Sequence, residues 1–173
     1  MNRKERGLFF RDDRGTSIVE LLVIMAIMAI LVGMVANLFG YLNGKQAKEC
    51  AYKLEAALSE IRMETMSKSD GEKESVFFVL ENNAGRIFAK TKVNDVTSSD
   101  VIGEKVIITV KDETGITTGE LSEGSAIIIY FNRATGALME ESEKYAVIEI
   151  NQGNVTYVVK IEPTTGRTSC DRR

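Results

Sequence analysis

The sequence predicts an α+β chain: a long N-terminal helix, half membrane span and half amphipathic, packed on a C-terminal antiparallel β-sheet. Three observations lead there. Residues 21–39, LLVIMAIMAILVGMVANLF, contain no charge. Residues 45–68 contain neither Pro nor Gly, and Ala47, Ala51, Leu54, Leu58, Ile61 and Thr65 recur at spacings that alternate between four and three, which is one face of a helix. Residues 75–170 break into short apolar runs separated by clusters of Asn, Gly, Pro and Thr, the pattern of strands joined by tight turns.

The uncharged run comes first. Its 19 residues would cover about 28 Å as a helix, close to the hydrocarbon thickness of a bilayer. The competing reading is a buried helix in a soluble core, but ~18 uncharged apolar residues is the usual mark of a span. A cleaved secretory signal has a shorter apolar region, roughly 7 to 15 residues, and a small-x-small site after it; neither is present. Cys50 follows Ala47-Lys48-Glu49, which lacks the apolar residue of a lipoprotein signal. Residues 1–15 carry Arg3, Lys4, Arg6, Arg11 and Arg14, whereas the fifteen residues after Phe39 carry Lys45, Lys48 and Lys53. That bias places the N-terminus in the cytoplasm. Everything after the span then lies outside, anchored to the plasma (inner) membrane by a single pass.

Composition narrows the function. A chain of 173 residues suits one domain with an appendage, and 44% apolar residues can supply a core. With no His in the sequence, Ser-His-Asp and Cys-His catalysis and His-ligated metals are excluded. Two cysteines, Cys50 and Cys170, cannot make a four-thiolate zinc site or a disulfide framework. They can be two separate thiols or, outside the cytoplasm, a single bridge. No nucleophile–base pair is evident, so no enzyme and no cofactor are expected.

The junction at Gly15 carries the sharpest signal. A short basic leader ends in Gly15, Thr16 and Ser17 follow, Glu20 is fifth after the Gly, and the uncharged run begins at Leu21. A bland reading makes Glu20 the wet flank of the span. It leaves unexplained why Ile18 and Val19 extend the apolar stretch on its other side. The arrangement resembles the class III signal of type IV prepilins and of the pseudopilins of type II secretion and competence systems. The resemblance implies that residues 1–15 are a leader removed by a prepilin peptidase between Gly15 and Thr16, with Thr16 then N-methylated. It implies that Glu20 is the carboxylate that meets a neighbouring subunit's N-terminal amine in the assembled filament. The family most often places Phe after the cut, and Thr16 departs from that. The implied partners are the membrane, the peptidase, other pilin or pseudopilin subunits and an assembly platform. Residues 16–44 become the transmembrane and assembly half of the helix, and residues 45–173 the extracytoplasmic domain.

Physical chemistry is consistent with that role. A carboxylate near the start of a helix is favoured by the macrodipole. In an apolar medium an unpaired charge is expensive and a charged partner relieves the cost. Gly40 and Gly44 weaken the helix at the membrane exit, by about 1 kcal/mol each relative to Ala, either as a linker break or as a hinge. The amphipathic half, residues 45–70, should stop near Gly71, with Glu49–Lys53 and Glu64–Lys68 as helical ion pairs on its wet faces.

Strands are expected at Val76–Leu80, Arg86–Lys92, Lys105–Val110, Ser125–Phe131, Tyr145–Ile150 and Val155–Ile161, in a sheet of about five or six. Asn94–Asp100 reads as a polar connection. One face of the sheet would pack on the Ala47–Thr65 stripe. This layout is also similar to pilins, and the C-terminal part resembles the GspH/FimT minor pseudopilins in two stretches: Ile129-Tyr130-Phe131 leading to Gly136, and Tyr157–Ile161 leading to Thr165-Gly166-Arg167.

Smaller features have bland readings. Asp112, Glu113, Glu120 and Glu123, and Glu140, Glu141 and Glu143, read as solvated acidic loops; calcium is the alternative, without EF-hand spacing. Arg167, Arg172 and Arg173 form a small basic tail. Losing a leader of charge +2 takes the chain from −3 to −5, which opposes nucleic-acid binding. Two functions remain: a structural, minor subunit of a pilus or pseudopilus, or a single-pass anchored domain that binds a ligand or sensor partner.

Overall fold

The structure, a computed structural model, describes residues 18–67, 76–93 and 96–173, and over residues 35–43 the backbone alone. The chain divides into two units, Met1–Phe39 and Gly40–Arg173. Among the described residues it is an α+β protein of one α-helix, a short 3-10 turn and antiparallel sheets. The helix α1 is Ile18–Ser67.

In the second unit the predicted stripe is the inner face of α1. Ala47, Ala51, Leu54, Leu58, Ile61 and Thr65 are all buried, and Cys50 joins them. Tyr52 and Met63 lie on the opposite side and are exposed. Burial pushes the Cys50 thiol up to about 12, against a smaller opposing pull from Lys53. Cys50 and Cys170 are both free thiols.

Among the described residues nine strands follow: β1 Val76–Asn83, β2 Arg86–Val93, β3 Val96–Glu104, β4 Ile107–Lys111, β5 Thr117–Glu120, β6 Ala126–Ile129, β7 Val147–Gln152, β8 Val155–Ile161 and β9 Thr168–Arg172. They form two sheets, in the orders β3-β2-β1-β6 and β5-β4-β7-β8-β9, with every pairing antiparallel. The single sheet of five or six strands is therefore corrected to sheets of four and five. Alternation shows which face of a strand is buried, but not which strand it pairs with.

β1 and β2 close as a hairpin in which Asn83 pairs with Arg86. The two loop residues, Ala84 and Gly85, have φ of 53° and 74°, as a two-residue hairpin turn of the I′ kind requires. On the inward faces Phe78, Leu80, Ile87 and Ile102 of the first sheet join Ile108, Val110, Ile148, Ile150, Val159 and Ile161 of the second. With the stripe of α1 they form one core.

Three further expectations change. Asn94–Asp100, expected as a polar connection, contains the start of β3 at Val96. β3 is an edge strand whose residues 96–101 are exposed, so polar side chains can occupy it. The expected start of β4 at Lys105 moves to Ile107, because Lys105 takes φ of 54°. Tyr145 belongs to a 3-10 turn, Glu140–Tyr145, whose Ser142 is buried and accepts a hydrogen bond from the Tyr130 amide at 2.9 Å. The acidic stretch there is thus ordered structure, and β7 begins after it.

On the outer face of the second sheet Glu149 is nearly buried. It pairs with Lys111 at 2.8 Å and Arg173 at 3.0 Å. A carboxylate so placed needs such partners, and here they tie the end of the chain to β7.

Candidate functional site

Gly15 and Thr16, the predicted cleavage and methylation positions, lie outside the described residues. Glu20 is described. It sits in the first turn of α1, where the helix dipole favours a carboxylate. The surrounding surface is apolar on every side: Ile18, Val19, Leu21, Leu22, Val23 and Ile24, and the other large apolar side chains onward to Met34, are each at least 50% exposed. Over residues 18–39 Glu20 is the one charge. A helix that is apolar all round belongs in a protein core or in lipid. Among the described residues no helix is long and apolar enough to cross a membrane. The apolar stretch with described side chains, 18–34, has 17 residues, about 26 Å.

The second unit brings together the two stretches singled out near its C-terminus, at a place the sequence did not mark. The turn at Asn132–Gly136 and the turn at Pro163–Gly166 meet beside the last turns of α1. Leu138 donates its amide to the Pro163 carbonyl at 2.9 Å. Arg62 donates from Nε to the Thr165 carbonyl at 2.9 Å and to the Gly136 carbonyl at 3.2 Å. That single N–H is shared between two carbonyls presented side by side, a three-centre bond. The two glycines were legible as turn residues; that both turns end on one arginine is a tertiary fact with no local signal.

Gly166 is held tightly there. Its φ is +64°, and a Cβ built on it would fall onto the carbonyl oxygen of Gly136. Gly136 has φ of +70°, but a Cβ there would meet side-chain atoms of Met66 and Arg62, which can move. Gly166→Ala is therefore expected to cost at least roughly 2 kcal/mol, from left-handed strain plus a backbone collision. Gly136→Ala should cost less. Urea unfolding of the two variants measures the difference; equal midpoints would contradict the packing described.

The remaining candidates stay apart. Asp112 closes its own turn, accepting from Thr114 Oγ1 at 2.6 Å and the Ile116 amide at 2.8 Å. The Thr114 hydroxyl, with backbone amides, holds its carboxyl below the usual range. Among the described residues no group of three or more Cys, Asp or Glu is placed to hold a metal ion. Arg173 of the basic tail is taken up by Glu149. Cys170 is half-buried, and burial, with Glu55 and Asp171 nearby, raises its thiol above the usual value. No protein-family model, curated protein or solved structure matches the chain.

Proposed function

We propose that the chain is a minor structural subunit of a type IV pilus or of a type II secretion or competence pseudopilus. It has a pilin-like fold and no catalytic role. The observation that supports this best is the apolar surface of residues 18–34, exposed all round and marked by one carboxylate in its first turn. Such a surface needs lipid before assembly and the helices of other subunits after it. In this reading residues 1–15 are the cytoplasmic leader and residues 16–44 the single membrane pass. The remainder is extracytoplasmic and filament-associated. A prepilin peptidase cuts after Gly15, and Thr16 becomes the methylated N-terminus. Glu20 meets the amine of a neighbouring subunit, and an assembly platform extracts the subunit from the membrane.

Intact mass of the full chain, extracted from membranes of a host with an active prepilin peptidase, tests this. The expected species is residues 16–173 carrying one methyl group. Gly15→Val should keep the leader, and Gly15→Ala should lose it more readily, because the scissile position tolerates little side chain. A wild-type mass that includes residues 1–15 would contradict the proposal and favour a permanently anchored binding or sensor domain.

A further inference from the structure

The Gly40–Arg173 unit carries an open depression of about 570 Å³ between the first turns of its helix and the strands β8 and β9. It begins where Gly44, which has no side chain, faces Val155 at the start of β8. Val155 and Tyr157 give it a largely apolar floor, and Lys45, Lys48, Glu49, Lys53 and Arg172 stand around that floor. Lys45 is neutralised by Glu49 at 3.7 Å. Among the described residues no ion pair takes up Lys48, Lys53 or Arg172. Arg172 stands opposite Tyr157 in the β8–β9 pairing, so the neighbouring Asp171 points to the other face of the sheet. Glu149, on that other face, is already held by Lys111 and Arg173. Three cations are left without a carboxylate around one apolar floor.

Cations line a second depression too, at Lys160 and Arg167, but Glu113 and Glu162 line it with them and the charges balance. The surplus at the first depression is local, and an anion relieves the repulsion within it. The floor adds a second requirement, because an anionic group on an apolar stem fits better there than a bare anion. In the reading given above residues 16–44 are the membrane pass, so the depression starts where the pass ends. Lys48 is four residues beyond Gly44, about 6 Å of helix rise. Long side chains on a helix lean toward its N-terminus, which is the membrane side in that reading. Lipid headgroups occupy roughly 5 to 8 Å on each side of the hydrocarbon, the depth at which Lys48 then stands. Tyrosines such as Tyr52 and Tyr157 favour the same layer.

We propose that this depression holds the headgroup of an anionic phospholipid, with its phosphate between Lys48 and Arg172 and its glycerol end on Val155 and Tyr157. The inference rests on the membrane reading of residues 16–44 and not on Gly15, Thr16 or Glu20, so the fate of the leader does not decide it. A guanidinium offers a phosphate two parallel hydrogen bonds, and an ammonium offers it a point charge. Lys48 also lies over the ring of Tyr52, 5.7 Å from its centroid, which steadies the ammonium at the rim. Lys53, further along the helix, adds to the field without touching the headgroup. A zwitterionic lipid carries the same phosphate, but its own cationic group would enter beside three unpaired cations. That repulsion is what selects the anionic lipid, and basic residues at a membrane surface attract it.

The test places the full chain in bilayer discs of phosphatidylcholine with a minor share of phosphatidylglycerol and counts the lipids it retains by native mass spectrometry. The wild type is expected to retain phosphatidylglycerol in preference to phosphatidylcholine. Lys48→Gln with Arg172→Gln should lower that preference roughly tenfold, and Lys48→Arg should keep it. Lys160→Gln with Arg167→Gln removes the same charge at the balanced depression and should leave the preference unchanged. Equal loss in the two double variants would mean that net charge alone governs, and would overturn the site. In discs of phosphatidylcholine alone, excess inorganic phosphate should give no adduct that depends on Lys48 and Arg172. Such an adduct would make the ligand a free anion and overturn the lipid. A chain recovered in the discs whose lipid count is indifferent to Lys48 and Arg172 would overturn the proposal and leave the membrane reading standing. A chain that does not enter the discs would overturn both.

Discussion

Leu58→Asp is expected to unfold the Gly40–Arg173 unit, whereas Met63→Asp, five residues further along the same helix, is expected to leave it folded. Leu58 is fully buried in the stripe, while Met63 is 61% exposed. Removing the leucine costs about 2–5 kcal/mol by itself. Burying an unpaired carboxylate in its place adds several more, and together these approach the 5–15 kcal/mol that holds an ordinary domain. At Met63 the same substitution meets water and should change stability by about 0.5 kcal/mol or so. The comparison can be made by circular dichroism and thermal melting on a segment beginning at Lys45, which keeps the whole stripe and both sheets. Equal melting of the two variants would mean that the stripe does not face the core.

The stripe was legible because a helix reports its buried side through period alone: every residue from Ala47 to Thr65 picked out by spacing is buried. The first hairpin was legible for a different reason. Asn82-Asn83-Ala84-Gly85 is turn chemistry between two runs of apolar and β-branched residues, and strands Val76–Asn83 and Arg86–Val93 pair across it. β3 was not legible, since an edge strand with residues 96–101 in water has no alternation to read. β5 and β9 failed for the same reason: each is short, polar and on the edge of its sheet. The split into two sheets depends on which strands pair, and a single sequence holds no local record of that.

Of the site, Glu20 was legible because a charge inside an apolar stretch is conspicuous, and it does fall in the first turn of α1. Arg62 was not. Its partners, Gly136 and Thr165, are 74 and 103 residues away in sequence, and the carbonyls it binds are backbone groups that every residue possesses. The pairing of Glu149 with Lys111 and Arg173 is hidden in the same way, because it depends on the order of strands in the second sheet.

Glu20→Val tests most directly the claim that the helix is an assembly device. The substitution removes a polar group from an apolar surface, so insertion into the membrane should be at least as good as for the wild type. The residues flanking Gly15 and Thr16 are unchanged, so the leader should still be removed. What is lost is the carboxylate that, in an assembled filament, would pair with a neighbour's N-terminal amine. Breaking a buried charge pair by removing one partner costs about 3–5 kcal/mol, enough to reduce incorporation roughly a hundredfold or more. The measurement is the share of processed subunit in sheared filaments against the share left in the membrane, with cross-linking to neighbours where the subunit is scarce. The account predicts a processed, membrane-inserted protein that is nearly absent from the assembled fraction. Wild-type incorporation of Glu20→Val would contradict it.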